Sequence, residues 1–128
     1  MGNKLRFMKK HIVILLSAVS KQKLLIAAEK TKLKNSAFCI CLNKVYPGYN
    51  EKLNDGSAAG YFETSAYNIE AFEKLDSLVK VFISINYRSK YERNLGIQKC
   101  LDFYNSQDLS ILINKLDVDL DRKKLENK

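Results

Sequence analysis

Two short runs in this chain, Ile12–Leu16 and Phe38–Leu42, are apolar on both of their alternating sets of positions. Read as strands, such runs are buried on both faces, so a sheet containing them needs cover on each side. That requirement selects a layered α+β domain over an open sheet. With 46% hydrophobic residues in 128, the chain is long enough for one core and too short for two.

The pattern along the chain supplies the layers. His11–Ser17 reads as a first strand. Ser20 then caps a helix over Lys21–Lys34, with Leu24, Leu25, Ala28 and Thr31 facing inward. Ser36–Tyr46 reads as a second strand ended by Pro47-Gly48, and Asn54-Asp55-Gly56 is a turn from which Ser57–Ser65 returns as a hairpin strand. Asn68 caps a helix burying Ile69, Phe72, Leu75 and Leu78, and the alternating Val79–Asn86 reads as a fourth strand. The order is β-α-β-β-α-β, the ferredoxin-like or RRM-like sandwich of two helices on an antiparallel sheet. Helical segments over 94–105 and 109–116 follow, broken at Asn105-Ser106. The expected organisation is one α+β domain over 1–116 and a solvated, charged tail over 117–128. The additional C-terminal helix, or a partner protein, covers the sheet's second face.

Charge is distributed unevenly. Nine basic residues and one acid, Glu29, lie in the first 34 positions, which hold the whole net charge of +8; the remaining 13 basic and 13 acidic residues cancel. A basic end on a neutral body suits phosphates or another acidic partner. Cys39, Cys41 and Cys100 are odd in number, and the first two are too close to pair easily, so a reduced, intracellular protein is expected. That means nuclear or nucleolar in a eukaryote and cytoplasmic otherwise. The N-terminus has the order of a secretory leader: basic residues to Lys10, apolar Ile12–Leu16, small Ser17-Ala18-Val19-Ser20. The apolar part is short and Lys21 and Lys23 follow at once, so the segment is read as retained. No run reaches the roughly 20 apolar residues of a membrane span.

Three stretches resemble the small RRM-like protein subunits of ribonuclease P and RNase MRP, the Pop-five type with its Rpp-fourteen relative. Leu5-Arg6 ahead of the first strand resembles the family's basic entry, Ala59-Gly60-Tyr61-Phe62 its third strand, and Asn94–Tyr104 its last helix. The family's Thr in "GTI" is missing, and Glu63-Thr64 stands where "RC" is common. The resemblance implies a non-catalytic RNA-binding subunit of a ribonucleoprotein serving tRNA 5′ maturation, paired with a second protein subunit. Cys41-Leu42-Asn43-Lys44 and Phe62–Ala66 also resemble the guanine-recognition loops of Ras-like GTPases. No G-x-x-x-x-G-K-[ST] phosphate loop accompanies them, so that match is set aside.

The residues assigned to RNA are Lys4, Arg6, Lys9, Lys10, Lys21, Lys23, Lys30, Lys32 and Lys34, with Arg88 and Lys90 beside Tyr87 and Tyr91 as a second cluster. A single histidine, His11, leaves no His-based metal set, and no acid–base pair or nucleophile assembles. Neither intrinsic catalysis nor a cofactor is expected. The alternative is a protein–protein module of the immunity or inhibitor type, which blocks an acidic partner with a basic face and binds no nucleic acid.

Overall fold

From Asn3 to Tyr46 the chain contains neither glycine nor proline. An apolar run within so long an uninterrupted stretch satisfies a helix as readily as a strand, and length arbitrates in favour of the helix. The computed structural model describes residues 2–90 and 93–128, with side chains for 17–90 and 93–128. In it, α1 spans Gly2–Val45 without a break. Pro47 stops α1, and Gly48 turns the chain with φ 78°.

Six shorter helices follow: α2 (Tyr49–Leu53), α3 (Ser57–Thr64), α4 (Ile69–Ile83), α5 (Gly96–Tyr104), α6 (Gln107–Lys115) and α7 (Arg122–Glu126), with a 3-10 turn at Leu116–Asp119. Among the described residues the only extended pairing is an isolated antiparallel bridge between Tyr67 and Leu120. The ferredoxin-like sandwich is therefore corrected to an all-helical domain. All four expected strands are helical for most or all of their length: 11–17 and 36–45 lie in α1, 57–64 forms α3, and 79–83 completes α4.

Each correction has a local cause. The Asn54-Asp55-Gly56 turn is present, but it joins two helices. Asn54 takes the left-handed conformation that ends α2, and the Asp55 carboxylate accepts the Ser57 N–H at 2.8 Å to start α3. The alternation in Val79–Asn86 conceals a stripe at four-residue spacing, Ala71, Leu75 and Val79, all fully buried. On α1 the inward stripe is Leu25, Glu29, Leu33, Ala37 and Cys41, whereas Leu24, Ala28 and Thr31 face solvent. An acid within that stripe hid it from a hydrophobicity reading.

The second half of α1 is the spine on which α3, α4, α5 and α6 pack. Leu33, Ala37, Leu75, Val79, Phe103, Leu109 and Leu116 form the centre of the core. Phe82 meets Phe103 at a tilt with centroids 5.1 Å apart, and Lys44 reaches Asp76 of α4 at 2.7 Å. Cys41 and Cys100 form a disulfide that fastens α1 to α5, which overturns the expectation of reduced cysteines. Cys39 remains free. Gly96 is buried where α5 meets the end of α1; a Cβ there would lie 2.1 Å from Val45 Cγ1, so only glycine permits the approach.

The last residues, read as a solvated tail, hold a defined place. The Asp121 N–H donates to the Ala66 carbonyl and the Asn68 N–H to that of Asp119, each at 2.8 Å. Leu120 and Leu125 enter the core.

Candidate interaction surface

One exposed face combines aromatic and aliphatic side chains in two adjoining hollows that share Phe38. α1 contributes Asn35, Phe38, Cys39 and Leu42, α5 contributes Ile97, Leu101 and Tyr104, and Tyr46, Tyr49 and Tyr61 complete the walls. Ile97 is 57% exposed and Leu101 47%. The i, i+4 spacing of Phe38 and Leu42, and of Ile97 and Leu101, places these pairs on outward stripes adjoining the disulfide.

Local contacts hold this face in shape. Phe38 meets Tyr104 edge to face at 6.1 Å between centroids, the Tyr104 hydroxyl lies 3.3 Å from Asn35 Oδ1, and the Lys34 ammonium sits 4.2 Å above the Tyr104 ring. Burial, reinforced by Asp55, pushes the Cys39 thiol above its ordinary pKa.

A second groove of about 750 Å³ lies between α4 and α6, floored by Leu78, Val81, Ile111 and Leu112. Glu70, Glu73, Asp108, Lys74 and Lys115 surround it. Lys74 is already paired with Asp119 at 2.7 Å.

Three of the lysines assigned from the sequence make contacts within the chain. Lys30 lies 3.3 Å from Asn114 and 3.6 Å from Asp117. Lys32 pairs with Glu29 at 3.1 Å and donates to the Thr64 carbonyl at 3.2 Å, and Lys34 covers Tyr104. Lys21 and Lys23 are exposed on α1, and Arg88 and Lys90 lie in the connection between α4 and α5. The side chains of Lys4, Arg6, Lys9 and Lys10, and Tyr91 as a whole, lie outside the described residues. Tyr87 donates to Asp102 at 2.7 Å, and Lys99 lies 5.1 Å from its ring centroid.

Among the described residues no group of three or more His, Cys, Asp or Glu is placed to hold a metal, and no helix is long and apolar enough to cross a membrane. Residues 31–113 match the pattern of the Tai4 family, described as type VI secretion system amidase immunity proteins.

The chain belongs to the Tai4 family. The ribonuclease P reading, with the RNA-binding role drawn from it, is corrected by this match, which spans the packed half of α1 through most of α6. No curated protein matches the chain. The Tai4 segment contains ten basic and nine acidic residues, so most of the basic excess that suggested RNA lies outside it, with Lys32 and Lys34 inside. The tyrosine-rich face lies wholly within it. What the sequence offered toward that face was its tyrosines, which hydropathy does not distinguish from core residues.

Proposed function

We propose that this Tai4-family chain is an immunity module that binds an amidase toxin and blocks it, with the tyrosine-rich face of α1 and α5 as the recognition surface. The family match over residues 31–113 carries the reading. The face supports it through its composition, because tyrosines with flanking aliphatic groups on a rigid base are what tight protein interfaces place at their centre. The Cys41–Cys100 disulfide belongs to an oxidising compartment, so the inhibition takes place outside the reducing cytoplasm.

The test is a titration of the cognate amidase with the purified chain. Stoichiometric loss of amidase activity is expected, and Ile97→Glu, Leu101→Glu and Tyr46→Ala each raise the inhibitory constant at least about tenfold. Val81→Glu and Ile111→Glu, in the α4–α6 groove, leave it unchanged. The reverse pattern moves recognition to the groove, and an unaffected amidase ends the immunity reading.

A further inference from the structure

The groove between α4 and α6 shares no residue with the tyrosine-rich face. Each of its helices carries two apolar stripes. α4 turns Ala71, Leu75 and Val79 into the core, and α6 turns Leu109 and Ile113. Their second stripes, Leu78 with Val81 and Ile111 with Leu112, floor the groove instead; Val81 is 67% exposed and Ile111 45%. A helix on the surface of a domain needs one apolar stripe. Two neighbouring helices whose second stripes line a groove of about 750 Å³ offer a seat for a third.

Charge decides what sits there. Lys74 on the rim is engaged by Asp119 at 2.7 Å. Among the described residues no salt bridge takes up Glu70, Glu73 or Asp108, so the rim is left with three acids against Lys115. The chain as a whole carries +8 and attracts anions, so an acidic rim around an apolar floor selects a cation against the trend of the molecule. The same acids disfavour a membrane surface, whose anionic headgroups they would repel. As helices, α4 and α6 bond their backbone groups within themselves and offer no free sheet edge to an extended peptide. The occupant must therefore bring apolar side chains at helical spacing.

We propose that the α4–α6 groove seats a cationic amphipathic helix of a protein other than the inhibited amidase. Apolar residues on one face of that helix rest on Leu78, Val81, Ile111 and Leu112, and Lys or Arg on its flanks meet Glu70, Glu73 and Asp108. The chain then holds two partners on separate faces. This goes beyond the immunity reading and stands or falls without it.

The test uses the full chain and three labelled peptides of about 18 residues, long enough to hold a helix. One is a Leu/Lys amphipathic helix, one has Glu for every Lys, and one is a shuffled Leu/Lys sequence with no apolar face. Fluorescence anisotropy is expected to give the Leu/Lys helix a Kd at least about tenfold below the other two. Val81→Ser/Ile111→Ser and Glu70→Lys/Glu73→Lys, all at exposed positions, each weaken it at least about tenfold, and the second pair makes the Leu/Glu helix the better ligand. Leu53→Ser, at an exposed apolar position on α2, leaves it unchanged. Matching circular dichroism melts establish that the variants are folded. Equal binding of the Leu/Glu or shuffled peptide, or binding that survives both double variants, overturns the proposal. So does a dimer in sedimentation that Val81→Ser/Ile111→Ser disperses, which would make a second copy the occupant, and so does displacement of the peptide by the amidase. Amidase inhibition by the chain alone is scored separately, and its absence ends the immunity reading while leaving the groove result standing.

Discussion

Glu29 is 2% exposed and sits in the middle of the inward stripe of α1. Its carboxylate accepts the Ala66 N–H at 2.8 Å and pairs with Lys32 and Lys128, each at 3.1 Å; Lys128 also donates to the Thr64 carbonyl. Burial pushes its pKa up, but the Ala66 N–H and the two ammonium groups outweigh that and hold it below the ordinary value of 4.5. A depressed carboxylate pKa contributes stability that is full at neutral pH and is lost as pH falls from the ordinary value through the folded one. Denaturation midpoints measured from about pH 7 down to about pH 3 are therefore expected to decline in the acid part of that range. Glu29→Gln is expected to flatten part of that decline and to lower neutral-pH stability by about 2 kcal/mol, because a buried N–H and two cations lose a charged acceptor. A variant with unchanged stability and an unchanged pH profile would mean that the carboxylate holds nothing together.

At the level of elements, the disulfide is the strongest single constraint on how α1 and α5 meet. It spans 59 positions in sequence. By loop-closure entropy, a cross-link of that span stabilises the folded chain by about 4 kcal/mol. Chemical denaturation with and without a thiol reductant should differ by roughly that amount, and Cys41→Ala/Cys100→Ala should reproduce the reduced curve. Coincident curves would remove the bond from the stability of the fold. Helices were legible where their boundaries are written in polar residues. Ser106 caps α6 by accepting the Leu109 N–H at 3.2 Å where the sequence suggests a break, and Asn68 stands just before α4 where it suggests a cap. Helices were illegible where apolar residues run together. In Phe38–Leu42 the period disappears because neighbouring positions serve different surfaces: Cys41 enters the core while Phe38, Cys39 and Leu42 line the outer hollows. The tertiary pairing of Cys41 with Cys100 was equally hidden, because which cysteines meet depends on the helix packing and not on their spacing.

Over the whole molecule, the separation of most of the net charge from the proposed recognition face has a measurable result. Most of the basic excess lies before residue 31, the family segment is close to neutral, and the face at α1 and α5 is aromatic and aliphatic. Between about 50 mM and about 200 mM salt, affinity for the amidase is expected to change by less than about tenfold; six or more phosphate contacts would cost about a thousandfold. A steep slope in an equilibrium titration would return the lysines to the interface. The Cys41–Cys100 bond acquires a second meaning in this setting. Its Cα atoms are 5.6 Å apart, between the two helices whose outer stripes form the face. The two sides of the proposed recognition surface are thus riveted at a fixed gap before any partner arrives, and binding need not close them. A chain with the rivet opened would present the same tyrosines at a wavering distance, and its complexes would form from a smaller fraction of ready molecules.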